Sequence, residues 1–101
     1  MSDLGRYSEP ALHVMISLAD GPRHGYSMQN DIAALTGERP GPGTLYGAIR
    51  RLEEHGYIEA LPERERRKPY RLTDAGRDAL QLELRRMRAV AGHGLRRLAV
   101  S

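Results

Sequence analysis

The sequence predicts a mainly α-helical domain with one small β-hairpin, followed by a long terminal helix. Three observations predict it. Apolar residues recur at helical spacing in four separate stretches. Glycine and proline clusters punctuate the chain between them, at Gly21-Pro22, at Glu38-Arg39-Pro40-Gly41-Pro42-Gly43 and at Gly56. The one stretch with strand-like character, residues 57–72, is split by the polar run Pro62-Glu63-Arg64-Glu65-Arg66-Arg67.

The first helix is expected over residues 9–19, with Ser8 as its cap, Glu9 in its first turn and Leu12, Met15, Ile16 and Ala19 at helical spacing. Gly21-Pro22 ends it. A second helix begins near Gly25, where Met28, Ile32 and Leu35 share one face and Gln29, Asn30 and Ala33 or Ala34 lie elsewhere. Gly37 suits the residue past its end, where a left-handed conformation is cheapest. Pro42 suits the first position of a third helix, because its missing N–H costs nothing there. Leu45, Ile49 and Leu52 then place that helix over residues 42–55. Residues 57–61 and 68–72 read as the two strands of a hairpin, and Pro69 points to an edge strand. Thr73-Asp74 caps the last helix, about residues 74–98. Its seam of Leu80, Leu84, Met87, Ala91, Leu95 and Leu98 is close to a heptad pattern. Gly92 and Gly94 weaken that helix by about 1 kcal/mol each relative to Ala.

Composition narrows the function. The 101 residues fit one domain, which buries roughly 64% of its unfolded surface by size scaling. With no Phe, Trp or Cys, the core must be aliphatic with a few Tyr, and disulfides, thiol catalysis and nearly all structural zinc sites drop out. His13, His24, His55 and His93 lack metal-ligand spacing, so neither a metal nor a cofactor is expected. No nucleophile stands beside a base in a recognised pattern, and the turn GERPGPGT lacks the Lys-Ser/Thr of a phosphate loop, so no catalytic residue is assigned. No apolar run approaches the length of a membrane span, and MSDLGRYSEP is too polar for a secretory signal, so the expected location is the cytoplasm.

The charge is informative. Residues 62–72 carry Arg64, Arg66, Arg67, Lys68 and Arg71 against Glu63 and Glu65, while the rest of the chain balances 11 cations against 11 acids. Fifteen of the 16 cations are Arg, whose planar fork suits bidentate phosphate contacts. Three short helices followed by a basic hairpin describe a winged helix-turn-helix over residues 1–73. Residues 74–101 would add a dimerisation helix to the same compact unit. The third helix would enter a DNA major groove with the hairpin as wing. Leu45, Ala48, Ile49 and Leu52 then face inward. Gly43, Gly47, Arg50, Arg51 and Glu54 face outward, with Thr44 and Tyr46 on the flanks.

At these residues the chain also resembles a known family. LADGPRHGYSMQNDI, PGTLYGAIRRLEEHGYIEA and RRKPYRLTDAGRDAL together resemble the PadR transcriptional regulators, from about Leu12 to Leu82. The single terminal helix is similar to the small subgroup of that family. The resemblance implies a homodimeric repressor on an inverted-repeat operator in double-stranded DNA. It places Tyr26, Thr44 and Tyr46 near the DNA backbone, Arg50 and Arg51 at base edges or phosphates, and the wing cations Arg66, Arg67 and Lys68 at the groove edge. Two departures stand out: Gly41 replaces a frequent Ser, and the wing is short and lacks Gly.

Blander roles compete with these. Tyr46 has two open to it, packing on the wing or meeting a phosphate. Glu63 and Glu65 blunt the wing's attraction for DNA, and Arg50 and Arg51 in isolation would be solvated helix charges. The rival function is a winged-helix protein-interaction module without DNA binding, against which Arg50-Arg51 argues. A small-molecule effector is left open. Some small members of the family bind flat aromatic drugs at the dimer interface through aromatic side chains. Residues 74–101 hold no aromatic residue, which argues against such a pocket here and leaves it to residues of the first helix, including Tyr7.

Overall fold

Four helices and three short strands close around one apolar core in the computed structural model, which describes residues 9–100. The order is α1 (Glu9–Ser17), β1 (Arg23–His24), α2 (Gly25–Thr36), α3 (Pro42–Glu54), β2 (Ile58–Ala60), β3 (Pro69–Leu72) and α4 (Asp74–Val100). The expected cap at Ser8 and the candidate Tyr7 lie outside the described residues.

The central helix is α1, which packs against α2, α3 and α4. It is shorter than expected, and it buries Ala11, Val14, Met15 and Ser17, with Leu18 buried just past its end. Met15 was placed correctly. Leu12, Ile16 and Ala19 are only partly buried and pack at the margin of the core. A helix enclosed on several sides buries a wide arc, so its apolar residues alone do not fix the arc's centre.

The start of α2 is capped by His24, whose Nδ1 accepts from the Ser27 N–H at 3.2 Å. It ends as expected on Gly37, at φ 84°, whose N–H donates to the Ala33 carbonyl. Its core face differs from the expected one. Met28 and Ile32 are buried, but Leu35 is 57% exposed, and Gln29 takes the third buried position. Gln29 can be buried because its Nε2 donates to the Pro40 carbonyl at 2.9 Å, which ties the α2–α3 turn to the helix.

In α3, Pro42 occupies the first turn, and Leu45, Ala48, Ile49 and Leu52 are all buried, as their spacing requires. The sheet has three strands rather than two. Its order is β1-β3-β2, all antiparallel, with Arg23 opposite Tyr70 and Ile58 opposite Leu72. Two-residue β1 has no periodicity to read, so nothing in the sequence marks it. Its pairing also makes β3 the central strand, so Pro69 is not on an edge. Pro69 is tolerated because it is the strand's first residue, and its carbonyl still accepts from the Leu61 N–H at 2.8 Å.

Thr73 joins the sheet to α4. Its hydroxyl donates to the Gly56 carbonyl at 2.6 Å and accepts from the Gly76 N–H at 3.0 Å, capping the helix. Gly76 lies so close to the Tyr57 carbonyl that a Cβ there would overlap it. Among the described residues, the buried side chains of α4 lie in its first turns. Leu80 is 4% exposed and belongs to the same core as α1 and α3, so it is not available to the exposed seam proposed for residues 80–98. Glu83 is equally buried and is held by Arg86, whose Nε donates to its carboxylate. That bond holds the Arg86 guanidinium above its ordinary pKa. Beyond Glu83, Leu84, Met87, Val90, Ala91, Leu95 and Leu98 are exposed.

Candidate nucleic-acid interface

The buried face of α3 leaves Gly43, Thr44, Tyr46 and Arg50 exposed, and Arg51 exposed one residue further on. A Cβ on Gly43 would meet nothing within 4 Å, so the domain itself does not require glycine there. At Gly47 the neighbour is the Arg51 guanidinium, 3.9 Å from where a Cβ would stand, so Arg51 lies along the same face of the helix. Thr44 lines a cleft of about 440 Å³ together with Glu9, Pro10 and His13 of α1, Thr36 of α2 and the 38–41 turn.

The Tyr46 ring lies over Gly25, where a Cβ would collide with the phenol. Gly25 is buried at the start of α2, and its missing side chain lets α3 approach that helix end. Behind Tyr46, the Tyr70 phenol is held above its ordinary pKa by burial first, then by the charge of Glu53 and by Tyr46.

The wing tip is a two-residue turn. Arg64 and Arg67 exchange two backbone hydrogen bonds, each 2.8 Å, around Glu65 and Arg66. Both tip residues have positive φ, 50° and 65°, the geometry of a type I′ turn that Asn-Gly ordinarily supplies. A wing without glycine is therefore built at a conformational cost, and Arg66 is held at its apex. Arg67 turns back toward the domain: its Nη1 lies 3.0 Å from His24 Nε2, and its guanidinium carbon is 6.0 Å from the Tyr26 ring centre. Lys68 lies over the Tyr70 ring, with Nζ 5.9 Å from its centre.

The structure thus brings Tyr26 and Arg67 together and adds two residues that sequence reasoning missed. His24, weighed there as a metal ligand, caps α2 and stands beside the wing's Arg67. Arg39 stands over the Tyr26 ring at 5.2 Å. The available signal was its isolation, since no other Lys or Arg lies between Arg23 and Arg50. A second oversight concerns charge. After Glu83 the chain has Arg85, Arg86, Arg88, Arg96 and Arg97 and no acid, so the balance outside the wing conceals a basic terminal half of α4.

Among the described residues no cluster of three or more His, Cys, Asp or Glu side chains could hold a metal, and no helix is long and apolar enough to cross a membrane.

Three helices, with a small sheet whose β2–β3 hairpin extends as a basic wing, define a winged helix-turn-helix protein with an added terminal helix. The model of the transcriptional regulator PadR-like family matches residues 14–82, and the chain belongs to that family. It is a family of transcriptional regulators, not of enzymes. The chain is similar to the "Transcriptional regulator Rv3488" of Mycobacterium tuberculosis, with 34% identity over 83 residues, covering 79% of this chain and 77% of that protein. It is also similar to an uncharacterized 37.1 kDa protein in transposon Tn4556 of Streptomyces fradiae, with 41% identity over 87 residues. That match covers 86% of this chain but only 25% of the larger protein. Among solved structures, a transcriptional regulator from Clostridium thermocellum superposes with a TM-score of 0.77 at 26% identity, covering 95% of both chains.

Proposed function

We propose that the chain acts as a homodimeric repressor that binds an inverted-repeat operator in double-stranded DNA. The observation that carries this reading is the outer face of α3. It is basic at Arg50 and Arg51 and stripped of bulk at Gly43 and Gly47, so a groove edge can approach the helix backbone. Arg50 and Arg51 would read bases or clamp phosphates, Thr44 and Tyr46 would meet the backbone, and Arg66, Arg67 and Lys68 would follow the groove edge. The N–H groups at the start of α3 can hold a phosphate oxygen. Dimerisation falls to Leu84, Met87, Ala91, Leu95 and Leu98 of α4, more apolar surface than a small monomer leaves in water.

Mobility shifts on the DNA upstream of the protein's own gene, at low and high salt and alongside a solution mass, test this reading. The expected result is a dimer on half-sites centred about 10 base pairs apart or a multiple of that, because two symmetric helices must face one side of the duplex. A protein that shifts no duplex at any salt would leave the protein-interaction module as the reading.

A further inference from the structure

We propose that Tyr26, Arg39 and Arg67 form a seat for a backbone phosphate of duplex DNA, in which Arg39 is a contact residue. The proposal rests on the DNA-binding reading above and adds to it a site that joins the helix-turn-helix to the wing.

The argument begins with what the arginines hold. Arg23 pairs with Asp20 and Asp31, Arg71 with Glu59 and Arg86 with Glu83. Their charges are answered inside the molecule. Arg39 and Arg67 instead meet groups without negative charge. Arg39 donates through Nη1 to the Asn30 Oδ1 and through Nη2 to the Gln29 Oε1 at 3.2 Å. Gln29 is itself buried and fastened to Pro40, so this support is rigid. The backbone of Arg67 is fixed by its exchange with Arg64, and its guanidinium lies beside the His24 ring, 3.0 Å from Nε2. Both guanidiniums stand over the same phenol, Arg39 at 5.2 Å and Arg67 at 6.0 Å from its centre. Among the described residues no carboxylate lies within ion-pair distance of either.

Two cations therefore flank one ring that is 58% exposed, and neither pairs with a carboxylate among the described residues. An anion that enters beside the ring would be drawn to both charges. The anion is identified by chemistry and place. Arginine forks match phosphate oxygens, and ordering them beforehand reduces the entropy lost on binding. Arg39 lies in the turn that leads into α3, and Arg67 lies in the wing. These are the two elements that a duplex lying along α3 would meet together. One strand gripped at this seat would set the wing's angle to α3.

The test measures affinity for a labelled mixed-sequence duplex by fluorescence anisotropy across a salt series, so that no operator need be known. Arg39→Gln should weaken binding and reduce the slope of log K against log salt by about one, the signature of one lost phosphate contact. Arg39→Lys should keep the slope and lose only part of the affinity, since the charge remains without the fork. Tyr26→Leu should also weaken binding, and Arg39→Gln should then cost less in the Tyr26→Leu background than alone, because the two act as one unit. A full salt slope in Arg39→Gln, while Arg51→Ala still weakens binding, would overturn the seat and leave the DNA-binding reading standing. So would a loss of thermal stability in Arg39→Gln with the slope intact, which marks a strut of the turn. Wild-type protein without salt-dependent affinity for the duplex would overturn both.

Discussion

α3 and α4 are both amphipathic helices studded with arginine, yet they meet solvent differently. α3 buries every apolar residue of its stripe, Leu45, Ala48, Ile49 and Leu52, inside its own domain, and it exposes Thr44, Tyr46, Arg50 and Arg51, with Glu53 and Glu54 in its last turn. α4 buries only Leu80 of its seam, then leaves Leu84, Met87, Leu95 and Leu98 in water. The first helix is complete as a core element. The second leaves most of its apolar stripe uncovered by the described residues. The same residue period thus serves two ends, and how far the domain covers the stripe decides between them.

If the face of α3 and the wing are phosphate-facing, salt should have the largest effect. A dimer contacting about 6–10 phosphates should lose roughly 10³–10⁵ in affinity between 50 and 200 mM salt. Binding indifferent to salt would erase the contrast with α4. Next in size is the apolar stripe of α4. Leu84→Lys with Met87→Lys should give monomers in light scattering and lower operator affinity by roughly 10²–10⁴, the advantage of linking two half-site modules. A dimer that survived would move the interface off this stripe. Third, Arg51→Ala should cost about 1–3 kcal/mol on an operator and flatten discrimination if its partner is a guanine edge. Arg66→Ala with Arg67→Ala should instead weaken all duplexes alike. An Arg51→Ala loss equal on operator and scrambled DNA would make Arg51 a phosphate clamp and shift sequence reading to Arg50, Thr44 or DNA shape.

The smallest effect concerns the wing tip. Glu65→Asn with Arg66→Gly should raise stability in urea unfolding by about 1 kcal/mol, because both native residues sit at positive φ. It should also reduce the salt slope by the charge lost at Arg66, if Arg66 reaches a phosphate. A fall in stability would mean that the tip side chains make contacts worth more than the strain they carry.

The legible parts of this molecule were those with a repeat or a stop. The α3 stripe, the Gly37 cap, Pro42 at the helix start and the Thr73 cap each rest on local chemistry that a few residues display. The illegible parts depend on partners far along the chain. β1 exists only because Arg23 and His24 meet β3, and Gln29 is buried only because Pro40 supplies an acceptor. Leu80 looks like the rest of its seam in sequence, yet it joins the core because α4 starts against the domain before projecting away from it. Within the candidate site, the face of α3 followed from periodicity. The meeting of His24, Tyr26, Arg39 and Arg67 did not, because a turn and a wing tip carry no period that would bring them to one ring.

The position of β3 has a further consequence, for the order in which the molecule is made. The middle strand of the sheet is the last to be synthesised, and both outer strands depend on it for pairing. While residues 23–24 and 58–60 are emerging from the ribosome they have no partner, and closing the longer gap, from Arg23 to Tyr70, costs more chain entropy than closing the hairpin from Ala60. The helices α1, α2 and α3 can gather first through contacts near in sequence. Addition of β3 then joins β1 to β2 and brings Tyr70 and Leu72 into the core. A nascent chain halted before Pro69 would hold all three helices of the helix-turn-helix but neither a wing nor a closed sheet. The winged domain would therefore be completed late, when β3 is inserted between its neighbours.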